Sequence, residues 1–220
     1  MKPMKKARSP EKSHGFSVFR LRRRLNPWTV KISPGRVGQV YSYARRNAPK
    51  HPFHNIGHIA SVLGAAIRIA ELEGIKKNSR AFQVLEASVL LHDIIYEKGK
   101  TDNEARSVEV AKRILPAAGF NKREVNLACR LIMATNPGTN PKSKLEKIIS
   151  DADLHNLGTK DFWHENRLVA IENGKNPNSR EHLEGTLAFI GGFEFRTESG
   201  RKLYQAQWES NRQKLIKMLN

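Results

Sequence analysis

The chain has 220 residues, of which 39% are hydrophobic and 27% are charged. This balance is typical of a folded globular protein and excludes a disordered chain. No apolar run approaches the roughly 20 residues that a membrane-spanning helix needs, so we expect no membrane span. The formal net charge is +18, and residues 1–50 contribute most of it, with 14 Lys or Arg and one acid.

The basic charge is concentrated near the N-terminus, in a segment over residues 1–35 that we predict to be partly disordered. Its run FRLRRRLNPW could contact nucleic acid, anionic lipid or a phosphate-rich substrate, and a solvated tail explains it equally well. The single cysteine, Cys129, cannot form an internal disulfide and is typical of a buried residue in an intracellular protein. We therefore expect a cytoplasmic location.

From residue 36 onward, apolar residues recur at helical spacing almost throughout. Turn sequences such as EGIKKNS and NPGTNP separate the periodic stretches, and nothing alternates over enough residues to predict a sheet. The predicted helices cover residues 36–47, 55–73, 79–96, 102–115, 122–134, 143–157, 160–173, 179–192 and 197–219. The predicted fold is all-α, a bundle of short helices that forms one domain over residues 36–220.

Two histidines stand one turn apart at the start of the helix predicted over 55–73. The apolar stripe of this helix lies opposite His54 and His58, yet their own face carries glycine, serine and alanine until Arg68. A helix that is apolar or small all round is usually buried, so both histidines are expected to point into the protein. We expect the glycines on this face to let a neighbouring helix come close.

Polar residues also interrupt two later apolar helices. His92 and Asp93 fall within the helix predicted over 79–96, where an unpartnered buried carboxylate would cost several kcal/mol. In the helix predicted over 143–157, Asp153 lies near the apolar face and is favoured as the inward carboxylate. Asp151 lies further from that face, which favours a role beside the ligands or at the surface.

Together these residues supply nitrogen and oxygen ligands from three helices. Such a set suits a divalent ion such as manganese, iron, cobalt or zinc. The other histidines are interpreted as ordinary core or surface residues: His14, His51, His155, His164 and His182.

Four motifs follow one another in the order FHNIGH, HDIIYE, DNEARS and DADLHNLG. This order resembles the HD-domain superfamily of metal-dependent phosphohydrolases, whose pattern is H…HD…D in an all-helical, HD-domain-like bundle. It is similar above all to a branch of predicted phosphohydrolases with YHN--H, HD--Y, DNE--S and DADL--LG. The resemblance runs from about residue 36 to the C-terminus.

The resemblance also implies a site. The implied metal ligands are His58, His92, Asp93 and Asp153, and the implied cofactor is one divalent ion (Mn, Fe, Co, Zn or Mg). His54 is similar to a histidine that protonates the leaving oxygen in cyclic-nucleotide phosphodiesterases. The chain departs from the branch at Phe53, where tyrosine is usual. It also lacks a further histidine near ATNPGTNP, which favours one metal ion over two.

Further residues are candidates for supporting roles. The carboxylates that could accept a proton from water or orient it are Asp93, Asp151, Glu97 and Glu104. Thr101 and Glu104 also match a capping box, which is a complete structural explanation and the favoured one. Arg45 and Arg46 precede the first histidine and could meet substrate phosphates, although such charges are more often simply solvated.

The predicted function is hydrolysis of a phosphate ester, of a nucleotide in particular, by metal-activated water. Whether the ester is a monoester or a diester stays open, as do the substrate and the oligomeric state. The alternative is a non-catalytic RNA- or nucleotide-binding protein with a structural metal site and a basic N-terminal arm. Salt-sensitive RNA binding that is lost on deleting residues 1–35 would favour this alternative.

Overall fold

The computed structural model describes residues 31–220, and this part of the chain is helical with short connections. The helices are α1 (Arg36–Asn47), α2 (Ile56–Leu72), α3 (Arg80–Leu91), α4 (Asn103–Ala117), α5 (Lys122–Met133), α6 (Lys144–Asp153), α7 (Phe162–Glu172), α8 (Arg180–Gly191) and α9 (Glu198–Leu219). A 3₁₀ turn, His155–Gly158, separates α6 from α7. The all-α prediction is confirmed, and the bundle is consistent with an HD-domain-like fold.

The basic run FRLRRRLNPW and His14 lie outside the described residues, so a disordered arm that contacts nucleic acid stays a prediction. The first predicted helix begins at Arg36 in the structure as well. In the part of the chain that is described, no helix has both the length and the apolar character that crossing a membrane requires.

Helix α2 lies at the centre of the bundle. Helices α3 and α6 pack against it, α5 packs on α3, and α9 packs on the 3₁₀ turn and α8. Both faces of α2 are buried, as predicted, because its residues are apolar or small almost all round. Ile59, Leu63 and Ile69 are each at most 1% exposed. Full burial of one such side chain stabilises the fold by about 1.5–3 kcal/mol.

Two helices end earlier than their periodicity predicts. The predicted helix over 79–96 stops at Leu91, so His92 and Asp93 lie in the turn that follows α3 and not on a regular helix. The amide of Ile95 donates to Ser107 Oγ instead of to a carbonyl of its own helix. The predicted helix over 143–157 stops at Asp153, and the chain continues as the 3₁₀ turn.

The start of α2 is fixed by Asn55, which is its N-cap. The Asn55 side-chain oxygen accepts from the amides of Gly57 (2.7 Å) and His58 (3.3 Å), as N-cap asparagines do. A Cβ at Gly57 would lie 2.8 Å from that oxygen, whereas a Cβ at Gly64 would meet nothing within 4 Å. The expectation that these glycines admit a neighbouring helix is therefore wrong, because Gly57 makes room for the cap.

Candidate metal centre

Four side chains converge where α2, the turn after α3 and the end of α6 meet. We call His58, His92, Asp93 and Asp153 the His–Asp cluster. Each of the four offers one nitrogen or oxygen atom, and these atoms all lie within 4.8 Å of one another. Within residues 31–220 this is the one group of three or more His, Cys, Asp or Glu side chains that could hold a metal ion in this way.

Within the cluster, each histidine ring lies close to both carboxylates. His58 Nε2 lies 3.4 Å from Asp93 Oδ2 and 3.3 Å from Asp153 Oδ1. His92 Nε2 lies 3.2 Å from Asp93 Oδ2 and 3.1 Å from Asp153 Oδ1. The same nitrogen of each ring thus faces the same two oxygens, which is the mixed nitrogen–oxygen donor set that borderline divalent ions prefer.

The orientation of His92 follows from the way α3 ends. Its Nδ1 donates to the Val89 carbonyl at 2.8 Å, and the side chain is completely buried. A ring nitrogen that bonds a carbonyl must carry the hydrogen, so Nε2 is the atom left to meet the carboxylates. This backbone partner is the type of contact that fixes the tautomer of metal-binding histidines.

The electrostatics of the His–Asp cluster favour positive charge at its centre. Burial would lower the pKa of His58, but hydrogen bonds and charge from Asp153 and Asp93 outweigh it and raise the pKa to about 9. Burial would raise the pKa of Asp153, but the charge on His92 and a hydrogen bond from His58 lower it to about 2. Protons on the rings or a bound cation satisfy the same need, so these residues fit a divalent ion.

His54 lies beside the cluster and not in it. It precedes the N-cap of α2, and its Nε2 is 3.9 Å from Asp93 Oδ2. Its ring stacks on Tyr96, with centroids 3.5 Å apart and an interplanar angle of 15°. Its Nδ1 is 2.5 Å from Glu172 Oε1. The ring is therefore held on one face and at one nitrogen, with the other nitrogen turned toward Asp93.

Glu172 is a site residue that the sequence analysis missed. Its Oε2 accepts the backbone amides of Phe53 (2.9 Å) and His54 (3.0 Å), and its side chain is 1% exposed. Burial would raise its pKa, but the hydrogen bonds and charge from His54 and the two amides lower it to about 2. The residue is 118 positions from His54 and ends α7, so no local motif connects the two.

Glu104 lies at the cavity wall and does not form the predicted capping box. The N-cap of α4 is Asp102, and it makes no side-chain capping hydrogen bond. Glu104 Oε2 instead accepts from Asn136 Nδ2 at 3.3 Å. Glu104 lines the same cavity as Asp93 and Asp153 of the cluster. The capping interpretation is wrong because the cap falls one residue after Thr101.

The other predicted supporting residues lie away from the cluster. Glu97 is half exposed, and its carboxylate accepts from Arg106 at 2.8 Å. Arg45 and Arg46 are exposed in the last turn of α1. None of these three is among the described residues that line the cavity, so the structure does not bring them to the site.

Asp151 is neither a surface acid nor a neighbour of the cluster. It is completely buried and accepts the amides of Arg196 (2.7 Å) and Thr197 (2.8 Å) and the Thr197 hydroxyl (2.6 Å). These bonds tie α6 to the segment that leads into α9. A Cβ at Gly200 would lie 2.4 Å from Asp151 Oδ2, so the carboxylate leaves room there for glycine alone.

His155 also has a structural role. Its Nδ1 donates to the Ala152 carbonyl at 2.7 Å, and its Nε2 lies 3.0 Å from the Ser61 hydroxyl. Burial lowers its pKa to about 4. The interpretation of this histidine as an ordinary core residue is consistent with these contacts.

A cavity of about 510 Å³ opens from the cluster toward α7 and α8. Its wall at the cluster end includes His54, His58, Asp93, Glu104 and Asp153. The rest of its wall includes residues of α7, α8 and the 3₁₀ turn. Such a volume is in the range that binds a small molecule.

No protein-family model matches this chain, and no curated protein matches it. Among solved structures, Bacillus subtilis YpgQ in complex with ADP is similar, with a TM-score of 0.63 and 20% identity over 83% of this chain and 93% of that one. A second crystal structure of Bacillus subtilis YpgQ gives a TM-score of 0.62 at 19% identity, over 83% of this chain and 93% of that one. A structural-genomics protein from Lactobacillus plantarum gives 0.64 at 15% identity, over 85% of this chain and 96% of that one. At such identities the likeness establishes shared architecture, and the chain has the fold of these two proteins over most of its length.

Proposed function

We propose that this chain is a metal-dependent phosphohydrolase of the HD-domain superfamily that cleaves a phosphate ester of a nucleotide. The observation that carries the proposal is the convergence of four side chains that could hold a metal ion, three of which line a cavity large enough for a small molecule. The motif order supports the superfamily, and the ADP in the similar YpgQ structure supports a nucleotide.

His58, His92, Asp93 and Asp153 are the residues that would hold the ion. A divalent ion bound there would polarise a phosphoryl oxygen and lower the pKa of its bound water. The cluster is closed on its protein side by α2, α3 and α6, and it faces the cavity. A phosphate that enters the cavity can therefore reach the cluster without rearrangement of the core.

The residues around the cluster account for the proton transfers. As water attacks phosphorus, one of its protons passes to a carboxylate, for which Asp93 and Glu104 are the candidates. The bond from phosphorus to the leaving oxygen breaks, and His54 Nε2 supplies a proton to that oxygen. Glu172 holds the His54 ring by its other nitrogen, so the donor stays in place during the step.

The direct test is a hydrolysis screen of the purified chain. A panel of nucleoside mono-, di- and triphosphates, cyclic nucleotides and simple phosphate esters is offered with Mn²⁺, Co²⁺, Mg²⁺ or Zn²⁺. We expect hydrolysis of at least one nucleotide that needs the divalent ion and is lost on chelation. Absence of hydrolysis across the panel, with the ion demonstrably bound, would overturn the proposal.

A matched histidine pair tests the assignment of His54. Replacement His54→Ala should retain the metal and slow turnover by about 10²-fold, the range of general-acid catalysis. His51→Ala is the control, because His51 also contacts Tyr96, with ring centroids 5.4 Å apart, but does not line the cavity. Loss of metal in His54→Ala would make His54 a ligand and reject its role as an acid.

The basic N-terminal segment supports a second candidate function, which is binding of RNA or nucleotides without catalysis. Residues 1–50 carry 14 Lys or Arg and one acid, which is the charge pattern of an arm that contacts nucleic acid. RNA binding that falls steeply with salt and is lost on deleting residues 1–35 would support it. Hydrolysis that is unaffected by the deletion would show that the arm and the cluster act independently.

A further inference from the structure

The part of the cavity wall formed by α7, α8 and the 3₁₀ turn differs in chemistry from the His–Asp cluster. In addition to Asn173, which directly follows Glu172, it presents four polar side chains without formal charge: Asn156, Asn166, His182 and Thr186. We call these four residues the neutral end. Among the described residues that line the cavity, Lys175 is the one lysine or arginine, and it pairs with Glu181 at 2.9 Å. This end is therefore not built to hold several phosphates.

His182 in the neutral end has an unused nitrogen. The residue is 7% exposed, and its Nε2 is shielded from solvent without a hydrogen-bond partner among residues 31–220. The ring does bond the backbone of Asn166, while burial lowers its pKa and keeps it neutral. A backbone carbonyl only accepts, so the bonded nitrogen carries the hydrogen and Nε2 is left as an acceptor.

Asn156 offers a second unused acceptor. Its Oδ1 is shielded from solvent and has no partner in the described chain. Its side chain bonds the carboxylate of Glu165, whose pKa is raised by burial even though the charge of His58 and this bond oppose the shift. Since a carboxylate accepts, the amide nitrogen of Asn156 must face Glu165 and its oxygen must point elsewhere.

Unsatisfied buried polar atoms are uncommon, because each loses its hydrogen bond to water without gaining another. Within residues 31–220 such atoms occur on five side chains, and two of these, His182 and Asn156, line the same cavity. Both atoms are acceptors. A ligand that satisfies them must donate hydrogen bonds, which a hydroxyl or amino group does and an ionised phosphate oxygen does not.

We propose that the neutral end binds the nucleoside portion of the substrate, whose hydroxyl or amino hydrogens are donated to His182 Nε2 and Asn156 Oδ1. The phosphate then lies toward the His–Asp cluster at the other end. The identity of the ligand as a nucleotide rests on the proposed function, but the acceptor pair is independent of any turnover. His182 and Asn156 are thus specificity-determining residues that make no contact with the reacting phosphorus.

The test uses nucleosides, which need neither the metal nor hydrolysis. Adenosine, 2′-deoxyadenosine, 3′-deoxyadenosine and inosine are titrated into the full chain labelled with ¹⁵N-histidine, and long-range ¹H–¹⁵N spectra report each ring nitrogen. We expect His182 Nε2 to be unprotonated in the free protein and its signal to shift with adenosine. Because either the ribose or the base amino group supplies the donor, at least one analogue should bind about tenfold more weakly.

Variants separate recognition from general damage. His182→Phe keeps a ring but removes the acceptor, so it should bind adenosine about tenfold more weakly and lose the discrimination between the nucleosides. Asn173→Ala is the matched control outside the neutral end, because it removes a cavity-lining amide whose nitrogen is already bonded to the Val169 carbonyl at 2.9 Å. It should retain the discrimination.

The outcomes distinguish this proposal from the proposed function. If adenosine does not bind, or binds His182→Phe as tightly as wild type, the neutral end is not a nucleoside site. Hydrolysis of p-nitrophenyl phosphate or its diester could still show a phosphohydrolase. Nucleoside discrimination that depends on His182 without any hydrolysis would leave this proposal standing and reject the enzyme.

Discussion

The His–Asp cluster and the neutral end both contain buried polar side chains, but these side chains differ in charge and in whether their hydrogen bonds are satisfied within the described chain. At the His–Asp cluster, four titratable side chains are packed together so that each compensates the others, and the set favours positive charge at its centre. At the neutral end, His182 and Asn156 are buried with acceptors that the described chain leaves unused. The comparison teaches that one end is arranged to handle charge, and the other to recognise donors.

Replacement of one proposed metal ligand is expected to have the largest effect, and it should affect the His–Asp cluster without affecting the neutral end. His58→Ala or Asp93→Ala should abolish metal binding and reduce hydrolysis to the background rate, because four donors become three and a buried charge loses its partner. Binding of adenosine to the neutral end should persist. Retention of stoichiometric metal in either variant, measured by elemental analysis, would reject the site.

A steric change at Gly200 tests the hydrogen bonds by which the buried Asp151 ties α6 to the segment before α9. Gly200→Ala places a methyl group 2.4 Å from Asp151 Oδ2, and overpacking of this kind lowers the free energy of unfolding by about 1–3 kcal/mol. Gly64→Ala, at a helical position with open space, should instead raise it by about 0.5–1 kcal/mol. Urea denaturation monitored by circular dichroism measures both. Equal changes in unfolding free energy in the two variants would show that the packing of Gly200 against Asp151 does not stabilise the fold.

A substitution of Glu172 tests whether this carboxylate orients the His54 ring beside the His–Asp cluster. Glu172→Gln should keep the metal and lower kcat by about 10–100-fold, since the carboxylate that orients the His54 ring is lost. A purely structural role would change stability and metal content but not the basic limb of the pH–rate profile, which reports the proton donor. An unchanged kcat would show that His54 needs no partner.

The same residue gives a signed prediction for pH. The pKa of Glu172 is about 2 in the folded chain, below its ordinary value of 4.5. A depressed carboxyl pKa stabilises the fold above pH 4.5, and this contribution is lost as the pH falls toward 2. The difference in unfolding free energy between wild type and Glu172→Gln should therefore be constant above pH 4.5 and shrink below it. A difference that grows on acidification would have the wrong sign.

The smallest expected effect is a change in KM when a lysine at the cavity wall is removed. Lys175 lines the cavity, whereas Arg46 is exposed on α1 and does not. Lys175→Ala should raise KM for a nucleotide by about threefold, because an exposed charge contributes at most about 1 kcal/mol. Arg46→Ala should leave KM unchanged. A larger effect from Arg46 would restore the interpretation that α1 meets the substrate phosphates.

Residues within helices and short motifs were predictable from the sequence, and residues joined by the tertiary fold were not. Helical periodicity gave the all-α class, and the polar interruptions at His58, His92 and Asp153 pointed to the residues that the structure brings together. Periodicity could not show where α3 ends, because the amide of Ile95 turns to a side chain of α4. Hence the geometry by which His92 reaches the cluster was not predictable.

Two aspartates illustrate the limit. Asp151 and Asp153 are two residues apart. The helical periodicity favoured Asp153 as the inward carboxylate, and it does join the His–Asp cluster, but the structure buries Asp151 even more completely. The role of Asp151 depends on the amides of Arg196 and Thr197, which belong to a segment 45 residues further along the chain. Glu172 was missed, and His182 was interpreted as an ordinary core or surface histidine, for the same reason: the contacts of each are created only by the assembled bundle.

The central claim is that the His–Asp cluster binds one divalent ion that hydrolysis requires. The most direct measurement is elemental analysis combined with the hydrolysis assay on the same dialysed samples of wild type, Asp153→Asn and Glu97→Gln. Glu97 is the control because its carboxylate pairs with Arg106 away from the cavity. The account predicts one ion per chain and activity in wild type and Glu97→Gln, and neither in Asp153→Asn. A full complement of metal and undiminished hydrolysis in Asp153→Asn would contradict it.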